Sequence, residues 1–124
     1  MGIMTNDEMK AYVRRHFEAF VNQKNVDIAD ETLAPDFLDH DGGSGKQVDR
    51  EGDKAMMRGM HARYPDLHVT IEDMIAEADK VVCRNVWRAT NPETGKKFSF
   101  KGIVIWRFAH GKIVERWASV EPPR

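Results

Sequence analysis

The chain has 124 residues, a common size for one domain, so a single hydrophobic core over 1–124 is expected. Nineteen Lys and Arg against twenty Asp and Glu leave it almost neutral, with the signs interleaved, which excludes the concentrated basic face of a nucleic-acid binder. No apolar run approaches the roughly 20 residues of a membrane span and the first residues lack the apolar stretch of a signal peptide, so a cytoplasmic protein with no membrane partner is expected.

The first helix is capped by Thr5, Asn6 or Asp7, with Glu8 in the first turn, where the helix dipole favours an acid. Met9, Val13, Phe17 and Phe20 recur at helical spacing, with Tyr12, His16 and Val21 widening the apolar stripe, and the helix fades near Asn22 to Asn25. A short second helix runs from about Asp27 to Leu33 and is stopped by Pro35. Phe37 to His40 is a brief extended segment leading into the small-residue loop Asp41-Gly42-Gly43-Ser44-Gly45-Lys46, a candidate lid. Gly45-Lys46 is no phosphate-binding loop: His40 stands where that motif needs glycine, and Gln47 where it needs Ser or Thr. Asp49 caps a third helix to about Tyr64, with Met56, Met57 and Met60 on its apolar side and Pro65 behind it.

From Leu67 the period changes to two. Leu67 to Ile75, Val81 to Thr90, Phe98 to Ala109 and Lys112 to Glu121 read as four strands, joined by turns at 77–80, 91–95 and 110–111. The fold class is therefore α+β, with N-terminal helices packed in the concave face of a curved antiparallel four-stranded meander. Strands this long must twist and coil, and a coiled sheet around helices leaves a conical hollow for a ligand. Cys83, the lone cysteine, sits among valines and reads as an inert core thiol.

Four segments in this order carry a family resemblance. They are Leu33-Ala34-Pro35-Asp36-Phe37-Leu38-Asp39-His40, Tyr64-Pro65-Asp66-Leu67-His68-Val69, Gly102 to Phe108, and Gly111-Lys112-Ile113-Val114-Glu115-Arg116-Trp117. Together they resemble the SnoaL-like polyketide cyclases, of the cone-shaped superfamily that also holds nuclear transport factor 2 and ketosteroid isomerase. The resemblance runs from about Met9 to Val120. It implies a homodimer joined through the sheet face, no cofactor and no metal, and a pocket for a cyclic or aromatic small molecule. It further implies ring closure by intramolecular aldol condensation, with a carboxylate moving the proton and a donor steadying the enolate. The sequence departs from that pattern on its last strand. Glu115-Arg116-Trp117-Ala118 ends in alanine where the cyclases often carry their acid/base Asp, and Ala118 cannot move a proton.

The candidate catalytic residues are His40, which titrates nearest neutrality and matches the family's histidine near the pocket mouth, and Glu121, if a bulge or strand end near Pro122 re-aims it. Arg116 shares the parity of Ala118; it either holds a substrate carboxylate or enolate, or pairs with an acid on a neighbouring strand. Trp106, Trp87, Met60, Val104 and Ala118 complete the candidate substrate-binding set, with the face of the strand carrying Trp87 left open. Trp117 and Glu115 fall on the outer face, where an indole suggests a subunit interface. Asp36, Asp39 and Asp41 read as solvated acids, and His16, His61, His68 and His110 lack the spacing of metal ligands. The reading is thus a small-molecule-binding protein with cofactor-free cyclase, isomerase or hydratase chemistry, or else a non-catalytic binding module or assembly domain.

Overall fold

Helix α1 (Asn6–Phe17) begins at a capping box: Thr5 Oγ1 accepts the Glu8 N–H at 3.1 Å, and Glu8 Oε1 accepts the Thr5 N–H at 2.9 Å. The computed structural model describes residues 4–42 and 45–122; Gly43 and Ser44 of the small-residue loop lie outside the described residues. Past Phe17 the helix widens into a π-helical turn, Glu18–Asn22. Asn22 there uses its amide as a short strand, accepting from the Val69 N–H at 2.8 Å and donating to the Val69 carbonyl at 3.0 Å. The end of the first helix is thereby fastened to a sheet edge.

A 3-10 turn (Val26–Ile28) leads into the one-turn helix α2 (Ala29–Thr32). The stop comes before the proline: Leu33 is already extended, and Pro35 lies inside strand β1 (Leu33–Asp39). Proline fits because the β1 pairing shifts register between Leu33 and Leu38, where no ladder hydrogen bond is required of it. After the two-residue strand β2 (Val48–Asp49), Asp49 caps α3 (Arg50–Arg63) by accepting the Gly52 N–H. Strands β3 (His68–Glu77), β4 (Lys80–Thr90), β5 (Lys97–Ala109) and β6 (Lys112–Val120) then form the expected meander.

The sheet has six strands rather than four, in the order β2-β1-β6-β5-β4-β3. Strand β1 joins β6 in parallel, so the sheet is mixed. That pairing extends the curved wall beyond the meander and sets Asp39 opposite Arg116. The helices pack in its concave face, giving an open α+β cone. Val13, Phe17, Leu33, Phe37, Val104, Trp106 and Ile113 form the buried centre. Among the described residues no helix is long and apolar enough to cross a membrane.

Candidate functional site

Strand alternation determines what reaches the hollow. On β4 the inward series is Val81, Cys83, Asn85, Trp87 and Ala89, which settles the face left open by the sequence. On β6 the inward series is Arg116, Ala118 and Val120. Trp87 and the β6 series, together with His16, Phe17 and Phe20, Met56, Met57 and Met60 of α3, and Phe100 and Trp106 of β5, enclose a cavity of about 390 Å³. Its wall is mostly apolar, with a few converging polar groups, the usual composition of a small-molecule site.

The polar groups form one cluster. Asp39 is fully buried, and Arg116 Nη1 donates to both its oxygens, at 3.2 and 2.9 Å. The guanidinium carbon also lies 5.4 Å from the centre of the Trp106 ring. Asp53 enters from α3, bordering the cavity at 4 % exposure, and its Oδ1 meets no protein donor among the described residues. Burial pushes its pKa up to about 7; the Asp39 charge and a proton shared with Asp39 push the same way, while Arg116 opposes. One guanidinium facing two carboxylates retains a proton between them until near neutral pH.

His16 is buried too, its Nδ1 2.7 Å from Thr32 Oγ1 and its ring stacked on Phe20. Burial, helped by the charges of Arg116 and Arg15, lowers its pKa to about 3, so the imidazole is neutral. At the mouth, Asp41 Oδ2 accepts the Ala118 N–H at 2.8 Å and ties the start of the small-residue loop to β6.

Arg116, Trp106, Trp87, Met60 and Ala118 all line the cavity. Val104 lies in the buried core and is not among the lining residues. His40 and Glu121 are likewise outside the lining set among the described residues. Asp39 points inward on β1, so His40, the next residue, turns outward. Its ring stacks on Trp117 with 4.9 Å between centroids and meets Glu115 Oε2 at 2.8 Å and Gln47 Nε2 at 3.0 Å. His40 and Arg107 hold the Glu115 pKa below its usual value. Glu121 follows the last residue of β6, and its N–H donates to the Lys101 carbonyl.

The expectation of three solvated acids fails at Asp39, because the parallel pairing of β1 with β6 buries it against Arg116. Sequence reasoning also passed over Asp53. Its signal is present: 53, 56, 57 and 60 fall on one helical face, so an acid interrupts the methionine stripe.

The profile of the SnoaL-like polyketide cyclases matches residues 11–121. The chain belongs to that family. Among solved structures it is similar to IdmH of Streptomyces antibioticus, a candidate polyketide cyclase, at 28% identity and TM-score 0.82, covering 90% of this chain and 91% of that one. It is also similar to a candidate polyketide cyclase of Bacillus cereus, at 26% identity and TM-score 0.81, with 95% and 79% covered. AclR of Streptomyces galilaeus, a candidate hydroxylase, shares the fold at 24% identity and TM-score 0.82, with 94% and 91% covered. No curated protein matches the sequence.

Proposed function

We propose that this SnoaL-like chain is a cofactor-free acid/base catalyst acting on an uncharged cyclic or aromatic molecule, with Asp53 as the proton-transfer group. The observation that carries this reading is a carboxyl at the edge of an apolar cavity with a pKa of about 7. A base near neutrality combines adequate ionisation with useful proton affinity. Ionised Asp53 would take a proton from a carbon next to a ring carbonyl and return it once the new bond or double-bond position is set. Arg116, held by Asp39, would supply positive charge toward the developing enolate oxygen. The acid/base role that the resemblance places on the last strand thus moves to α3, and His40 serves to hold Glu115 and Trp117 at the outer face.

The test uses tetralone, an aryl-fused cyclic ketone, in deuterated buffer, with α-proton exchange followed by NMR. Exchange is expected to quicken as pH rises through about 7, and to fall by about 10²–10⁴-fold in Asp53→Asn. Equal exchange by both proteins would remove Asp53 from the chemistry. Ala118 favours a second reading, a binding module without catalysis; cavity resonances that shift with tetralone while exchange stays at the solution rate would establish it.

A homodimer through the outer sheet face accompanies the proposal. Register aligns Ile75, Val82, Ile105 and Trp117 in one row across β3, β4, β5 and β6, with Ile75 65% exposed. The neighbouring row through Lys80, Arg107 and Glu115 carries both signs, so a second copy related by a twofold axis could meet it with opposite charge.

A further inference from the structure

His16 lines the cavity, and its two ring nitrogens have different surroundings. Thr32 Oγ1 donates its single proton to the Ile28 carbonyl at 3.0 Å. At 2.7 Å from His16 Nδ1, that oxygen can only accept, so the ring proton sits on Nδ1. Nε2 then carries a bare lone pair. No protein donor meets it among the described residues. Of the rings packed around it, Phe17 and Phe20 lack donors, and the Trp106 N–H, whose ring stands edge-on 5.5 Å away, donates to Cys83 Sγ at 3.3 Å. The Arg116 Nη1 is directed at Asp39.

We infer that His16 Nε2 is a fixed acceptor for a hydroxyl of the ligand, so that the cavity selects a phenol or an enol over the matching ether or bare hydrocarbon. The inference rests on the cavity being the ligand site, as proposed above. An acceptor locked in one tautomer distinguishes O–H from O–CH₃ because the ether both lacks the donor and leaves the lone pair desolvated. Burial and the nearby arginine charges keep the imidazole unprotonated at neutral pH, so the acceptor persists where the protein works.

The experiment measures dissociation constants of naphthol, methoxynaphthalene and naphthalene by tryptophan fluorescence, with nitrogen–proton NMR of the histidines alongside. The full chain is expected to bind naphthol about 3–10-fold more tightly than methoxynaphthalene. His16→Phe, which keeps the ring against Phe20, and Thr32→Val, which frees the tautomer, should each bring that ratio below about 2-fold. Affinity for naphthalene should change little in both variants. The NMR should show a pyrrole-type Nδ1 and a pyridine-type Nε2 on His16 in the unliganded protein, a readout that survives even if a variant does not fold. Equal affinity for naphthol and methoxynaphthalene, or a protonated Nε2, overturns the inference while leaving the Asp53 reading intact. If none of the three bicycles binds, the cavity reading fails and this one with it.

Discussion

Replacing Asp53 by Asn tests the site through stability, with no need to know the ligand. The unfolded chain ionises this carboxyl near 3.8, whereas the folded chain does so at about 7. Between those values the native state holds a proton that the unfolded state has released, so this group's contribution to stability is complete below 3.8 and lost as pH rises through about 7. At roughly 1.4 kcal/mol for each tenfold change in proton affinity, the lift corresponds to about 4 kcal/mol, and water entering the cavity reduces this to about 2–4 kcal/mol. His16 slopes the opposite way. Its folded pKa of about 3 against 6.5 unfolded gives stability that is complete above 6.5 and lost as pH falls. The two trends partly cancel in the parent protein between about pH 4 and about pH 6.5, so the informative quantity is the difference between variant and parent. Urea unfolding of both proteins from about pH 5 to about pH 8 should show Asp53→Asn gaining on the parent as pH rises, by about 2 kcal/mol or more. A difference that stays flat within about 0.5 kcal/mol would refute the raised pKa and, with it, the assignment of Asp53 as the proton-transfer group.

Arg116→Met should destabilise by about 3–5 kcal/mol in urea unfolding, because it leaves the buried Asp39 charge without its partner, and Asp39→Asn in the same chain should restore much of the loss. Arg116→Lys should retain part of the stability, because one nitrogen, Nη1, makes both Asp39 contacts, but weaken tetralone exchange, since an ammonium on a flexible stem lacks the planar guanidinium that lies over Trp106. Ile105→Lys, placed in the outer apolar row, should convert a dimer to a monomer in sedimentation without changing tetralone affinity; an unchanged sedimentation coefficient would move the subunit contact elsewhere.

The meander was legible because period-two alternation and turn residues agree along 67–121, and the inward parity of Trp106 and Arg116 followed from it. What the sequence could not supply was the parallel pairing of β1 with β6. That contact joins Asp39 to Arg116 across 77 positions, and no local pattern encodes such a register. Without it, Asp39 looks like one more loop acid beside Asp36 and Asp41, and His40 looks free to face the pocket. Once Asp39 is inward, alternation turns His40 to Trp117 and Glu115. Asp53 was different: the methionine stripe already held it at helical spacing, but it sits in the charged run Arg50-Glu51-Gly52-Asp53-Lys54, where an acid near a helix start has an ordinary explanation. Lys54 fits that explanation, bridging to Asp27, Asp30 and Glu51. Its neighbour Asp53 turns the other way.

The charge inventory of the cavity connects Ala118 to Asp53. Asp39 and Arg116 cancel, His16 is neutral, and Asp53 keeps its proton up to about 7, so the inner wall carries little net charge below neutrality and Asp41 at the mouth is the remaining acid of the lining. A carboxylate ligand would find the one guanidinium of this cluster already gripped by Asp39 and a second acid beside it, whereas an uncharged ring meets Met56, Met57, Met60, Trp87 and Phe100. An aspartate at position 118 would place a third acid around the same guanidinium. Its ionisation would be resisted by Asp39 and would in turn push Asp53 beyond the range where it could act as a base near neutral pH. In this reading alanine on β6 and an acid on α3 belong together: with a methyl group beside Arg116, one arginine suffices to hold one ionised carboxylate and leave the other poised.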